Sequence, residues 1–250
     1  DAKTAISQFK QEPEGNLSIL CAAEFCDLQL RHVFLQYMRS NPKVKLRVSL
    51  VQDLTDQRID DFDLVITSSS SEELSSYAHY SSEKIVSLGY SLVASPRFLE
   101  NQTLRKLSDL ETLPFIAYQP SAEKKLLFQD SEFRVMSIIP NPVLETDSFW
   151  LAWQACIDGL GIACFPTYFI GSNIHNGQLV PLFPDHSMPD GSLQLLYPKQ
   201  GIHVPALRKL SELLRIEIGT FTTEYFKPEE ANRFFSDHPI LKAPDLFRPV

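Results

Sequence analysis

The chain has 250 residues, of which 44% are hydrophobic and 22% are charged, a composition typical of a globular protein with ample material for a core. Its net charge of −8 argues against direct contact of this polypeptide with nucleic-acid phosphates or an anionic membrane. It contains no apolar run of the roughly 18 residues that a membrane-spanning helix needs, and its first residues, "DAKTAISQFKQEPEG", lack the apolar core of a signal peptide.

Three short apolar runs open the chain and predict strands. They are "NLSILCA" (16–22), "KVKLRVSLV" (43–51) and "DLVIT" (63–67). In the second run, alternate apolar residues are predicted to face inward: Val44, Leu46, Val48 and Leu50. With a helix after the first run and a polar turn after the second, the order is that of a parallel α/β sheet.

The helix after the first strand is predicted from a stripe of apolar residues at helical spacing. Its members are Leu30, Val33, Phe34, Tyr37 and Met38. Asp27 is the expected N-cap, and Asn41-Pro42 ends the helix. A serine-rich segment, 68–77, is expected to be a solvated loop, or else to turn its hydroxyls toward a ligand.

The middle of the chain continues with predicted strands and one strongly apolar helix. Strands are expected in "KIVSLGYSLVASP" (84–96), "PFIAY" (114–118), "RVMSII" and "NPVLET". The helix that follows, capped by Asp147 or Thr146, would carry apolar residues on two adjoining sides. One side holds Leu151, Ala152, Ala155 and Cys156, and the other holds Phe149, Trp150, Trp153 and Ile157. Such a helix must be buried twice, once against its own sheet and once against a partner within the chain or in another subunit.

The segment "GLGIACFP" joins this helix to the next strand. Gly159 is expected at the position after the helix C-cap, where a positive φ is cheap only for glycine. Gly161 would permit a tight turn into "IACF", and Pro166 would end the strand. Near the C-terminus, "SLQLLYP" (192–198) predicts a strand, and a stripe of Leu207, Leu210, Leu214 and Ile218 predicts a last helix closed by Gly219.

Cysteines and histidines show no disulfide or metal pattern. Cys21, Cys26, Cys156 and Cys164 predict reduced, mostly buried thiols; a redox switch through Cys21/Cys26 or Cys156/Cys164 is the alternative, although no basic residue beside either pair would lower a thiol pKa. The six histidines lack ligand spacing. We therefore expect no metal. No GxGxxG or GxxxxGK[ST] pattern occurs, so we expect no cofactor either.

Eight segments together resemble the effector-binding domain of LysR-type transcriptional regulators over about residues 15–219. They are "GNLSIL", "RSNPKVKLRV", "DLVI", "YSLVASPRFL", "LSDLETLPFI", "IDGLGIACFP", "NGQLVPL" and "LYPKQGIHVPALRKL". No single segment is specific, and the resemblance rests on their order and spacing. The chain has no initiator methionine and no winged helix-turn-helix, so we expect a fragment of a longer, cytoplasmic regulator.

The resemblance implies an α/β fold of two Rossmann-like subdomains joined by two crossover strands, the type 2 periplasmic-binding-protein-like fold. The crossover strands would be about 90–94 and 193–197. Residues 1–14 would end a linker helix, 15–92 with 197–220 would form subdomain I, and 93–196 would form subdomain II. The aromatic segment 221–250 would be a C-terminal extension that covers the cleft or a subunit surface, or caps exposed apolar surface.

In this family, small molecules bind between the subdomains at the carboxyl ends of strands. The resemblance therefore implies a ligand-binding set, of unknown effector, at matching positions of this sequence. Its members are Ala23, Glu24, Phe25, Thr67, Ser68, Tyr118, Gln119, Thr146, Asp147 and Pro166. Many relatives carry serine or threonine where Glu24 stands. A carboxylate there would repel an acid and suit a cation, or would be salt-bridged and structural, so a cationic effector, a neutral polar one and no conventional ligand all stay open.

Family members also pair these domains antiparallel, which implies a homodimer, with a tetramer as a further option at full length. The interface would join the helix at 28–40 to the helix at 149–158 of the partner, through Leu28, Leu35, Trp150, Trp153 and Ile157. The alternative is that both tryptophans are core residues of the single chain.

The sequence favours a sensor domain that reaches DNA only through the missing N-terminal domain and has no membrane partner. A solute-binding protein that delivers a small molecule to a transporter is the alternative. An enzyme is not expected, because the sequence shows no nucleophile elbow, metal set or clustered acid–base pair.

Overall fold

The computed structural model describes residues 12–26, 30–52, 54, 58–68, 79–100, 102, 104–118, 125–130, 132–188 and 191–224. The chain divides into two compact units. The first unit contains the chain up to Ser87 together with Gly191–Thr222, and the second unit begins at Leu88 and continues to Asp190. The predicted subdomain boundaries at 92/93 and 196/197 stay a prediction.

The strands of the described residues are β1 (Gly15–Ala22), β2 (Val44–Val51), β3 (Leu64–Ser68), β4 (Tyr80–Leu88), β5 (Tyr90–Ala94), β6 (Pro114–Tyr118), β7 (Leu126–Gln129), β8 (Val135–Ile138), β9 (Asn141–Thr146), β10 (Ile162–Pro166), β11 (Val180–Pro181) and β12 (Gly191–Pro198). The longer helices are α1 (Arg31–Ser40), α2 (Pro96–Leu99), α3 (Phe149–Ile157), α4 (Thr167–His175) and α5 (Pro205–Glu224). One-turn helical segments lie at Ala23–Phe25, Ile59–Asp61, Leu107–Glu111 and Gly201–His203.

The two units contain sheets in which equivalent strands follow the same order. In the first, β2-β1-β3-β12-β4, β1 is parallel to β2 and β3, while β12 is antiparallel to β3. In the second, β9-β6-β10-β5-β11, β6 is parallel to β9 and β10, while β5 is antiparallel to β10. In the first sheet the antiparallel strand is β12, and in the second it is β5. Each is the strand that comes after the chain has crossed over from the other unit. This topology confirms the predicted α/β fold with two crossover strands.

Two predicted burial patterns need correction. Val48 and Leu50 on β2 are exposed, although Val44 on the same face is buried. β2 is an edge strand of its sheet, so fewer elements pack on it than on a central strand. On α1, the predicted stripe is buried except for Met38, which lies with Leu35 on the exposed side.

Predicted element ends also differ in places. Ser148, not Thr146 or Asp147, caps α3, because its Oγ accepts a hydrogen bond from the Leu151 backbone N–H at 3.4 Å. Gly159 has the expected positive φ of 81° after the C-cap. Gly219 does not close the last helix, since α5 continues to Glu224. The predicted N-cap Asp27 and most of the serine-rich segment lie outside the described residues.

An ion pair joins α5 to the sheet of the first unit. Arg215 Nη2 donates to Glu83 Oε2 at 2.7 Å, and its Nε donates to the other carboxylate oxygen. Tyr197 Oη donates to Glu83 Oε2 at 3.4 Å. The hydrogen bonds from Arg215 lower the pKa of the Glu83 carboxyl, although partial burial opposes the shift. The pair therefore fastens β4 and β12 to the last helix.

Replacing Glu83 by glutamine is expected to destabilise the first unit by about 1 kcal/mol near neutral pH, because the pair is bidentate but partly exposed. The folded pKa of Glu83 is depressed, so its contribution is fully present above the unfolded value, near 4.5, and is lost as the pH falls through the folded pKa. Denaturant unfolding of both proteins should show the stability difference shrinking in acid. A difference that stays constant with pH would refute this role, and Glu132→Gln, at an exposed pair with Arg134, is the control.

Candidate functional site

The carboxyl ends of β1 and β3 lie together at one edge of the first sheet. β1 ends at Ala22 and leads directly into the one-turn helix Ala23–Phe25, where Phe25 is buried and Glu24 is only 6% exposed. β3 ends with buried Thr67 and half-buried Ser68. The parallel pairing of the two strands therefore brings these predicted residues to the same edge of the sheet.

A network of polar side chains borders this edge. Gln194 on β12 lies opposite Thr67, and its side-chain nitrogen donates to Ser192 Oγ at 2.8 Å. Ser82 Oγ on β4 donates to the Gln194 side-chain oxygen. These residues were not predicted from the sequence, although the alternation of polar and apolar residues in "GSLQLLYP" was a signal. Ser192 and Gln194 are buried, whereas Ser82 is exposed. Hydroxyl and amide groups at a strand end are suited to orienting a polar ligand.

The second sheet also brings predicted residues to a common edge. β6, β9 and β10 are parallel and end at Tyr118, Thr146 and Pro166. Thr146 Oγ1 accepts a hydrogen bond from the Ser148 backbone N–H at 3.0 Å, and Asp147 between them is exposed. Gln119 lies outside the described residues. Four of the five predicted positions in this unit can thus be placed, and all four lie at the strand ends.

Helix α4 begins immediately after Pro166 at the same edge. The sequence analysis did not predict this helix. The hydroxyls of its first residue, Thr167, and of Ser91 on β5 are 2.7 Å apart, which ties the helix to the neighbouring strand. Tyr168 follows, with its hydroxyl buried; burial raises its pKa.

An aromatic cluster, defined as Tyr118, Phe149, Trp150, Phe165 and Phe169, packs beside these strand ends. Phe149, the first residue of α3, is at its centre. Its ring centroid lies 5.7 Å from Tyr118, 5.5 Å from Phe165 and 5.3 Å from Phe169. It also lies 5.5 Å from Trp150, edge to face. Phe149 was predicted on an apolar helix, but its contacts with Tyr118 and Phe165 were not predicted from the sequence.

The outer face of α3 is apolar and exposed. Trp150 is 45% exposed, and Leu151 is 52% exposed, although both apolar sides of this helix were predicted to be buried. Phe149, Ala152, Ala155 and Cys156 form the buried side. Trp153 and Ile157 are half-buried, and Trp153 Nε1 donates to Asn173 Oδ1 on α4 at 3.1 Å. Trp153 therefore packs within the chain, whereas Trp150 faces solvent.

Helix α1 supplies a second exposed apolar face. Leu35 is 52% exposed, with Met38 beside it one helical turn later. Leu28, the other predicted interface residue, lies outside the described residues.

Three of the four cysteines have thiols whose pKa is raised. Burial raises the pKa of Cys21 well above its ordinary value, and the neighbouring Cys26 and Glu24 raise it further. Burial raises the pKa of both Cys156 and Cys164 to about 12. A nucleophilic thiolate is therefore disfavoured at these three positions at neutral pH.

The described residues show neither a metal site nor a membrane-spanning helix. In the described part of the chain, no group of three or more histidine, cysteine, aspartate or glutamate side chains is arranged to hold a metal ion. Among its helices, none combines the length and apolar character needed to span a bilayer.

Comparison with known proteins identifies the family. The sequence profile described as "LysR substrate binding domain" matches residues 10–218. The chain is 23% identical over 223 residues to the HTH-type transcriptional regulator PtxR of Pseudomonas aeruginosa, covering 87% of this chain and 69% of PtxR. It is 24% identical over 211 residues to an uncharacterized HTH-type transcriptional regulator of Haemophilus influenzae, covering 82% and 70%.

Solved structures show the same fold. The regulatory domain of AphB from Vibrio vulnificus aligns with a TM-score of 0.66 and 18% identity, over 81% of this chain and 98% of that domain. The regulatory domain of CrgA, a LysR-type transcriptional regulator from Neisseria meningitidis, aligns with a TM-score of 0.69 and 16% identity, over 82% and 100%. The profile match, which spans both sheets, shows that the chain belongs to the family of LysR substrate-binding domains.

Proposed function

We propose that the chain is the effector-sensing and dimerising part of a LysR-type transcriptional regulator. The observation that carries this proposal is the family match over residues 10–218, which includes both sheets with their shared strand order. DNA would be contacted by a winged helix-turn-helix segment N-terminal to this chain, since the chain itself has a net charge of −8. The relatives named above are transcriptional regulators, which favours this function over delivery of a solute to a transporter.

The proposed effector sites are the strand ends of the two units. In the first unit they offer Ala23, Glu24, Phe25, Thr67 and Ser68, and in the second Tyr118, Gln119, Thr146, Asp147 and Pro166. The charged members, Glu24 and Asp147, are both acidic and would repel an anion, so a neutral polar or a cationic small molecule fits this set better. The hydroxyl and amide groups of Ser82, Ser192 and Gln194 support recognition of a polar group.

The proposed homodimer uses the exposed apolar faces of α1 and α3. Leu35 and Trp150 are the best candidates, because both are close to half exposed in the single chain. An apolar aromatic residue on a helix surface is a typical anchor of a protein interface.

The proposed role is that of a sensor without catalysis, in the cytoplasm with the DNA that it regulates. Support comes from the relatives, which are named as regulators of transcription, and from the raised pKa values of the buried thiols, which disfavour cysteine nucleophiles.

Chromosome-wide occupancy of the tagged product of the intact gene tests this function. We expect enrichment at discrete sites next to transcripts whose abundance changes when the gene is deleted. Diffuse occupancy, with unchanged transcripts and a loss of uptake of one solute after deletion, would instead establish the transport alternative.

A further inference from the structure

We infer that the contacts of Phe149 with Tyr118 and Trp150 transmit the state of the second unit's strand ends to the exposed face of α3. This inference rests on the proposed function and names how that function would be regulated. Phe149 is thereby assigned as a positioning residue that acts through its two neighbours.

The first step is the contact at the strand end. Tyr118 is the last residue of β6, and its ring meets Phe149 edge to face, with an interplanar angle of 81° and a centroid distance of 5.7 Å. Phe165, near the end of β10, lies 6.0 Å from Tyr118 and 5.5 Å from Phe149. A ligand that displaces Tyr118 must therefore displace the rings packed on it, because a close-packed cluster has little free volume.

The second step is the position of Phe149 in its helix. As the first residue of α3, it is buried, and the preceding residue, Ser148, caps the helix. Trp150 follows directly and contacts both Phe149, at 5.5 Å, and Trp153, at 5.7 Å. A movement of the Phe149 ring consequently changes the surroundings of Trp150, which is the exposed aromatic group of this face.

The third step is the anchoring of the far part of the helix. Trp153 is hydrogen-bonded to Asn173, which in turn donates to Gln178 Oε1 at 2.8 Å. Cys156 is buried on the sheet, with its Sγ 3.7 Å from the Val93 carbonyl oxygen. Because the C-terminal half of α3 is held, a displacement of the strand-end side chains moves the N-terminal turn of the helix, where Trp150 lies.

Contiguous packing is necessary for this coupling, and a double-mutant experiment measures the coupling itself. The chain has two tryptophans, so Trp153→Phe leaves Trp150 as the only tryptophan. Because this change also removes the hydrogen bond to Asn173, hydrogen exchange of the α3 amides in the unmodified background is measured alongside it. In that parent we compare Tyr118→Leu, Phe149→Leu and the combination of both. The readouts are the emission maximum of Trp150 and its quenching by iodide, at a concentration where sedimentation is the same for all variants.

Tyr118→Leu should shift the emission maximum and change the quenching, whereas Tyr118→Phe, which keeps the ring, should match the parent. In the presence of Phe149→Leu, the effect of Tyr118→Leu should disappear. Phe128→Leu is the matched control, since Phe128 is a buried ring of the same unit in a different apolar cluster, and it should leave Trp150 emission unchanged.

The inference is overturned if Tyr118→Leu leaves Trp150 unaffected, if its effect persists with Phe149→Leu, or if Phe128→Leu produces the same shift. If the Trp153→Phe parent does not fold, hydrogen exchange of the α3 amides in the unmodified background decides with the same variants. Neither readout involves DNA or an effector, so an uncoupled Trp150 in a protein that still regulates transcription rejects this inference alone. A coupled Trp150 without regulation rejects the proposed function instead.

Discussion

Replacing Trp150 by glutamate is expected to weaken self-association of the chain by at least about 30-fold, equivalent to about 2 kcal/mol for the loss of an interface anchor. Trp150 is 45% exposed on α3, and a carboxylate at this position would have to be desolvated against an apolar partner surface. Sedimentation velocity over a range of concentrations measures the dissociation constant. An unchanged constant would reject the α3 face as the dimer interface.

Two comparisons make this result specific to α3. Phe133→Glu places the same charge at an aromatic residue that is 79% exposed between β7 and β8, outside α3, and it should leave association unchanged. Trp153→Glu should weaken association too, but also lower stability, because Trp153 donates a hydrogen bond to Asn173 and is half-buried. Only Trp150→Glu is expected to weaken association without lowering the stability of the fold.

Replacing Phe165 by alanine is expected to destabilise the second unit by about 3–5 kcal/mol, as is typical of a fully buried aromatic residue. Phe165 is 0% exposed near the end of β10, the central strand of its sheet, and contacts the rings of Tyr118 and Phe149. Its removal would leave a cavity between the strand ends and α3, in the position where the proposed effector residues are held.

Denaturant unfolding followed by tryptophan emission measures this loss, because both tryptophans lie on α3 beside the cavity. Phe133→Ala is the control at an exposed ring and should change the free energy of unfolding by no more than about 0.5 kcal/mol. A loss below about 1 kcal/mol for Phe165→Ala would show that the aromatic cluster is not the core that supports the site.

The sequence predicted the elements whose signals are local. The stripe on α1 predicted its buried side, because helical periodicity is visible in neighbouring residues. Gly159 was predicted at its positive φ, because the position after a helix C-cap has a known conformational demand. Gly161 was predicted for a different reason from the one observed: a Cβ there would come within 2.7 Å of the Pro114 carbonyl oxygen, so glycine is needed for close packing.

What the sequence did not predict depends on distant contacts. The exposure of Val48 and Leu50 follows from the place of β2 at the sheet edge, which alternation alone does not reveal. The aromatic cluster joins residues from β6, β10, α3 and α4, and no local pattern brings Tyr118 next to Phe149. Helix α4 was missed since its apolar residues are interrupted by Gly171, a weak helix former.

The most direct test of the central claim, that strand-end side chains sense a small molecule and thereby control transcription, is the transcript profile of a strain carrying Glu24→Ala in the intact gene. Chromosomal occupancy and the unfolding midpoint of the purified variant are measured in parallel. The account predicts that the variant stays folded, still occupies its sites and alters the transcripts that respond to deletion of the gene. Transcripts indistinguishable from those of the parent strain would contradict it, and a variant that does not fold would show Glu24 to be a structural carboxylate of the first unit.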